Sequence, residues 1–308
     1  MTPIEATQRG IVLRSTGSWY DIRTPEGVHW QGRLRGKLRL QDLKVTNPVA
    51  VGDWVQFQVE DPNESRAAIT AIEDRQNYLV RESPRKKAHG HIIAANLDQV
   101  LVMATMVYPR TSSGFIDRVL VSAETFRIPA LVVFNKSDLL DKKSEAQQNE
   151  WMQVYARLGY GVLSVSALEQ QGLEEVMAAL SHKKTLIVGH SGVGKSTLLN
   201  QIAPEINQRV QSISDFSEKG MHTTTFAEMF EIAPQTFLID TPGIKEMGLL
   251  QIGNEELAHY FPEMRERLGQ CRFHNCTHQH EPHCAIIAAV AAETISPTRY
   301  QNYLRMLL

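Results

Sequence analysis

Nine residues, GHSGVGKST at 189–197, have the types and spacing needed to hold a chain of phosphates. Gly189, Gly194, Lys195 and Ser196 fit the pattern G-x-x-x-x-G-K-[ST]. Glycines let the backbone curl, so that the N–H groups of Gly189, His190, Ser191, Gly192, Val193, Gly194 and the following Thr197 turn toward phosphate oxygens. Lys195 then reaches the β- and γ-oxygens, where it would also serve catalysis, and the Ser196 hydroxyl is offered to Mg²⁺. Further along, DTPG at 240–243 places Asp240 to hold that Mg²⁺ through water and the Gly243 amide to sense the γ-phosphate. Alone, Asp-Thr-Pro-Gly is an ordinary turn after a strand. Downstream of a phosphate loop it becomes a second element of the same site.

A third segment, FNKSD at 134–138, carries Asn135, Lys136, Ser137 and Asp138. The Asp138 carboxylate can accept from the N1–H and exocyclic amine of guanine. Adenine has no matching donor edge, so it would leave a buried acceptor unpaired. Asn135 and Lys136 would brace the loop and cover the base. In isolation NKSD also reads as a turn capping the next helix. SVSALE at 164–169 supplies a second base-contacting loop through Ser166 and Ala167.

These loops need strand ends to hold them. DQVLVMAT, PALVVFN, GVLSVSA, TLIVGH and TFLIDT are apolar runs, and helical stretches such as IDRVLVSAETF and SEAQQNEWMQVYARLG lie between several of them. Alternating strands and helices predict a parallel sheet covered on both faces. In ordinary GTPases the phosphate loop precedes the guanine reader, whereas here NKSD comes first. Counted from the phosphate loop, TLIV, FAEMFEI and TFLID are followed, wrapping round, by DQVLVMAT, ALVVF and GVLSV. That is a six-stranded, mostly parallel sheet cut between its third and fourth strands, a circular permutation that termini close at the surface would tolerate.

Before the sheet, residues 1–76 read as short strands (GIVLRST, SWYDIRT, VHWQGRLRG, DWVQFQVE, AAITAIE) separated by Gly, Pro and Asn clusters, which predicts a small closed barrel. RESPRKKAHG at 81–90 reads as a linker. The GTPase domain is expected over 77–248 and a helical region over 249–308. In the helical region CRFHNCTHQHEPHC holds all three cysteines of the chain. Cys271, Cys276, His278 and Cys284 suit tetrahedral Zn²⁺ in a closed, structural site, one ion per chain. His274, His280 and His283 are alternatives that spacing does not exclude.

The chain has 308 residues, 43% hydrophobic and 21% charged, with a formal net charge of −2, which excludes a uniformly basic nucleic-acid binder. No apolar stretch approaches bilayer length, so no membrane partner is expected. MTPIEATQRG lacks the basic start and apolar run of a signal peptide. Arg33, Arg35, Lys37, Arg39 and Lys44, with Trp30 nearby, could track an RNA backbone and stack a base, or form a solvated strand face. Arg85, Lys86 and Lys87 are equally open to RNA.

The motif order, together with PVAVGDWVQF, KGMHTTT and the cysteine cluster, resembles the circularly permuted ribosome-biogenesis GTPases of the RsgA (YjeQ/YloQ) type over nearly the whole chain. The resemblance implies an N-terminal OB-type barrel that binds RNA, His278 as the fourth zinc ligand, and a bacterial cytoplasmic monomer. It also implies binding to the small ribosomal subunit and its rRNA, with GTP hydrolysed to GDP during late maturation. The chain departs from that pattern at Met221, where a basic residue is common, and at His283, where Gly is usual. The position of a water-orienting Gln after DTPG is Ile244, which cannot orient water. The resemblance implicates His222 in catalysis instead. Thr223, Thr224 and Thr225 offer hydroxyls to Mg²⁺ and the γ-phosphate without distinction. Thr224 is the candidate Mg²⁺ ligand. A nucleotide-gated RNA-binding module with incidental hydrolysis is the competing class, to be separated by turnover with and without small subunits. A P-loop kinase or ATPase would be excluded by guanine preference.

Overall fold

The structure is a computed structural model that describes residues 7–36, 47–82, 90–205, 227–240 and 252–307. These fall into two compact units, each built from several stretches of chain: one of Met1–Gln99, Met177–Val188 and Leu199–Ile244, the other of Val100–Val176, Gly189–Leu198 and Lys245–Leu308.

In the first unit, β1 (Gln8–Ser15), β2 (Tyr20–Arg23), β3 (His29–Leu34), β4 (Trp54–Asp61) and β5 (Arg66–Ile72) follow the five sequence runs closely. Strand β1 pairs with both β2 and β4, β2 with β3, and β5 with both β3 and β4, so the sheet closes on itself and leaves no open edge. Val12, Tyr20, Ile22, Val55, Phe57 and Ile69 fill its interior, the alternation of buried and exposed positions placing them on one face. The segment PVAVGD closes the barrel on a buried ion pair, with Arg75 Nε 2.7 Å from Asp53 Oδ1 and Arg75 Nη2 2.6 Å from Asp53 Oδ2. Gly52 is required beside it: its φ is +89°, and a Cβ there would lie 2.1 Å from the Ala95 carbonyl oxygen.

The region read as a linker is in part a hairpin. Strands β6 (Tyr78–Glu82) and β7 (Gly90–Ala95) pair antiparallel, with Leu79, Val80, Ile92 and Ile93 buried. The charged composition of 81–90 concealed the strand ends on either side, and residues 83–89 lie outside the described set. The unit also holds β11 (Lys184–Val188), β12 (Glu228–Ala233) and β13 (Thr236–Asp240). Strand β11 runs parallel to β13, β13 antiparallel to β12, and β12 meets the barrel at Arg14 opposite Glu228.

In the second unit, β8 (Gln99–Thr105), β9 (Ala130–Asn135) and β10 (Gly161–Ser164) form a parallel ladder. Every residue of β8 is buried, which explains the unbroken apolar run: a parallel strand covered on both faces has no solvent side. Between them lie α1 (Ser113–Thr125), capped by Ser112, and α2 (Lys142–Arg157), opened by an Asp141/Ser144 capping box. Helices α3 (Leu173–Leu180) and α4 (Lys195–Ile202), which follow β10 and β11, begin in this unit and end in the first. Three C-terminal helices, α5 (Pro262–Arg265), α6 (Ala285–Ala291) and α7 (Pro297–Met306), pack with Val121 of α1 around Phe261, Met264, Ile286 and Tyr303. Among the described residues no helix is long and apolar enough to cross a membrane.

Candidate nucleotide site and metal cluster

Strand β9 ends on Asn135, which is 2% exposed and hydrogen-bonded at both ends of its amide. Nδ2 donates to the Val193 carbonyl at 2.9 Å, and Oδ1 accepts from the Ala167 N–H at 2.9 Å. One side chain therefore ties the guanine-reading loop to the phosphate loop and to the SVSALE loop. The fit leaves no spare room, because a Cβ at Gly194, where φ is +100°, would fall 2.3 Å from Asn135 Nδ2.

Lys136 takes the left-handed conformation (φ 65°), which ends the strand and starts the short 3-10 turn Ser137–Leu139. Its ammonium donates to the Tyr108 carbonyl, and the Ser137 N–H donates to the Val165 carbonyl at 3.1 Å. Buried Ser166 donates its hydroxyl to Asp138 Oδ1 at 2.5 Å and accepts from the Glu169 N–H at 3.1 Å. Asp138 is thereby oriented, and a carboxylate so held keeps lone pairs for two further donors, the number guanine offers.

The phosphate loop leaves β11 and opens α4. Ser191, Gly192 and Ser196 are exposed, and Val193 is buried as the loop's anchor. Lys195 Nζ donates to the Gly189 carbonyl at 2.7 Å and the His190 carbonyl at 2.9 Å, which holds the ammonium over the loop. The His190 ring lies 3.9 Å from that of Phe115, and burial, helped by the Lys195 charge, holds its pKa below the ordinary value. A neutral imidazole adds no charge beside the phosphates. Thr197 is half-buried in the first turn of α4.

Asp240 is the last residue of β13, opposite Ile187 of β11 and Glu228 of β12. Gly243, Ile244, Met221, His222, Thr223, Thr224 and Thr225 lie outside the described residues, as do Lys37, Arg39, Lys44, Arg85, Lys86 and Lys87. Arg33 and Arg35 are engaged on the barrel wall, by Glu60 at 3.2 Å and Gln58 at 3.0 Å, and Trp30 packs half-buried beside Phe57.

The second cluster gathers Cys271, Cys276, His278 and Cys284, with one ligand atom from each within 4.8 Å of all the others. Sγ of Cys271 lies 3.6 Å from His278 Nδ1 and 3.9 Å from Cys284 Sγ, and Cys284 Sγ lies 3.4 Å from His278 Nδ1. Burial pushes the Cys276 thiol up to about 12 and raises Cys284, while burial lowers His278 and keeps it neutral. Thiols packed this tightly become good ligands only when a cation replaces their protons, so this donor set fits a metal ion. The surrounding loop is fixed independently. Glu281 accepts from the Thr277 N–H and hydroxyl, both at 2.6 Å, and from the Gln279 N–H at 2.9 Å. The Tyr300 hydroxyl donates to the His278 carbonyl at 2.6 Å. His283 sits at φ 58°, the left-handed region, where a glycine would have no Cβ to strain.

Two arrangements had no signal in the sequence. One is the buried ion network in which Arg299 of α7 meets Asp117 of α1 at 2.6 Å and Glu263 of α5 at 2.7 Å, with Tyr155 and Asn302 also donating to Asp117. The other is the contact of Lys136 with the Tyr108 loop. Both join residues far apart in sequence through single side chains, which no local period records.

Guanine-reading and phosphate-binding loops assembled in this reversed order define a circularly permuted GTPase. The solved structure of YloQ, itself described as a circularly permuted GTPase, matches with a TM-score of 0.72 at 27% identity over 99% of this chain and 95% of its own. YjeQ from Thermotoga maritima matches with a TM-score of 0.78 at 33% identity, covering 98% and 97%. The RsgA GTPase family matches residues 72–250 and the RsgA N-terminal domain residues 9–66. The small ribosomal subunit biogenesis GTPase RsgA of Cytophaga hutchinsonii is 49% identical over 96% of both chains. That of Phocaeicola vulgatus is 45% identical over 97% of this chain and 96% of its own. The chain belongs to the RsgA GTPase family and is a GTP hydrolase.

Proposed function

We propose that this GTPase binds the small ribosomal subunit through its rRNA and hydrolyses GTP to GDP there during late subunit maturation. The relatives carry small ribosomal subunit biogenesis in their names, and the site built around Asn135 supports the nucleotide half of the reading. Asp138, braced by Ser166, reads guanine. Asn135, Lys136, Ser137 and Ala167 complete the base pocket, and 189–197 with Gly243 cradles the phosphates. Mg²⁺, which neutralises the developing charge on the γ-phosphate, would be held by Ser196, Asp240 and Thr224. Lys195 supports that charge directly, and His222 positions the attacking water. One structural zinc would be held by Cys271, Cys276, His278 and Cys284. The working domain division is an RNA-binding barrel over 1–76, the permuted GTPase over 77–248 and the zinc-binding helices over 249–308. A monomer acting in the cytoplasm fits this role.

Steady-state turnover with and without small ribosomal subunits tests the reading. Stimulation of at least about tenfold is expected, which needs only about 1.4 kcal/mol of barrier lowering. The effect should weaken as salt rises, because phosphate contacts release counterions. Equal rates in both conditions would leave a nucleotide-gated binder with incidental hydrolysis as the better account.

A further inference from the structure

We infer that Tyr108 contacts the bound nucleotide, its ring flanking the guanosine moiety beside Lys136. The inference rests on the guanine-nucleotide reading of this site and adds a residue that none of the motifs contains. Tyr108 is 80% exposed, the most exposed large hydrophobic side chain among the described residues. Its loop is nevertheless pinned. The Thr105 N–H donates to Thr111 Oγ1 at 3.0 Å, the Thr111 N–H to the Thr105 carbonyl at 2.8 Å, and the Thr105 hydroxyl to the Pro109 carbonyl. Arg110 Nη2 donates to Gln147 Oε1 at 2.8 Å, which fastens the loop to α2. A ring left open to solvent on a pinned backbone suits a ligand, since the loop's backbone need not be ordered on binding.

The position of the loop says which ligand. On one side the Tyr108 carbonyl receives the Lys136 ammonium, so the tyrosine backbone abuts the guanine reader. On the other side Pro109 lies 3.4 Å from where a Cβ on Gly192 would stand, in the middle of the phosphate loop. The segment therefore bridges the base-reading and phosphate-holding loops, and the nucleoside links those two ends of the ligand. Leu139 (50% exposed) and Leu168 (67% exposed) stand one residue beyond Asp138 and Ala167. Among the described residues, three of the five exposed large hydrophobics thus belong to loops of this site.

An aromatic face stacks on any base, so Tyr108 would add affinity without choosing guanine, a choice left to Asp138. It would also grip GTP and GDP alike, which makes it a contributor to uniform binding rather than to the chemical step.

The full-length protein, titrated with GDP, ADP and a non-hydrolysable GTP analogue, tests this. Tyr108→Ala is expected to bind GDP and the analogue about tenfold more weakly, at the low end of what base–aromatic stacking supplies. KM for GTP should rise with kcat unchanged, and the melting temperature should stay put because the side chain is exposed. Tyr108→Phe keeps the flat ring and should bind as wild type does. If wild type prefers GDP to ADP while Tyr108→Ala binds both guanine nucleotides as tightly as wild type, the inference is wrong and the GTPase reading stands. Stacking is equally overturned if Tyr108→Phe loses as much affinity as Tyr108→Ala, since a hydroxyl contact would then be responsible. Wild type binding ADP as tightly as GDP would instead sink the site reading beneath both.

Discussion

Asn135 and His278 are both deeply buried polar side chains, 2% and 4% exposed, and their surroundings differ in kind. Asn135 spends its donor and its acceptor on the Val193 carbonyl and the Ala167 amide at ordinary hydrogen-bond lengths. His278 faces sulfurs at 3.4 and 3.6 Å, and two of the cluster's three thiols are pushed toward their protonated forms by burial. The loops that Asn135 joins therefore satisfy their polar groups with protein alone. The cysteine cluster instead gathers three sulfurs and an imidazole that could hold a metal ion. A third arrangement sits between them. Arg299 is a buried charge whose partners, Asp117 and Glu263, are both protein carboxylates.

The comparison breaks first at the metal. Removal by a chelator, or Cys276→Ser, should unfold the C-terminal helices, because metal-binding free energy in small zinc sites, on the order of 10 kcal/mol, is folding free energy. Metal content per chain and melting temperature are the measurements. A zinc-free protein with an unchanged melting temperature would put the cluster on the same footing as Asn135.

Asp138→Asn comes next. Two hydrogen bonds from guanine to a charged acceptor, each worth about 1.5–3 kcal/mol, should be lost, with xanthosine nucleotides still accepted. Titration with GDP and XDP reads this out, and stability should change little, because an amide oxygen at position 138 can still accept from Ser166 and Asn135 still ties the loops. Arg299→Leu should destabilise the fold by about 3–5 kcal/mol, since it strands two buried carboxylates. Chemical denaturation measures it, and a loss under about 1 kcal/mol would mean that the network is no tighter than a surface pair.

Asn135→Ala should cost least, about 1–3 kcal/mol, from leaving the Val193 carbonyl and the Ala167 amide unpaired. The effect should appear in nucleotide affinity as well as in stability, since three loops lose a common strut. If stability fell while affinity for GDP held, the loops would be set by their strands and Asn135 would be only a core residue.

Much of this was legible in the chain itself. The phosphate loop, NKSD and the cysteine spacing are short contiguous patterns whose chemistry dictates residue type, so they could be read one by one. The runs from GIVLRST to AAITAIE gave the barrel strands, and the unbroken apolar QVLVMAT gave a strand covered on both faces. The permutation itself followed from motif order alone. The paired strands β6 and β7 were missed because the sequence between them is charged and both are short, features shared by linkers.

What only the tertiary structure decided are the pairings between distant side chains. Nothing in sequence joins Asn135 to both Val193 and Ala167, Tyr108 to Lys136, or Arg299 to Asp117 across 182 positions. It also brings His278, the histidine the resemblance implied and spacing alone had left open, against the sulfurs. Local patterns are set by backbone periodicity and by the ligand chemistry each motif serves. These long-range contacts depend instead on how strands and helices come together, and a single side chain at such a crossing leaves no repeat for the sequence to display.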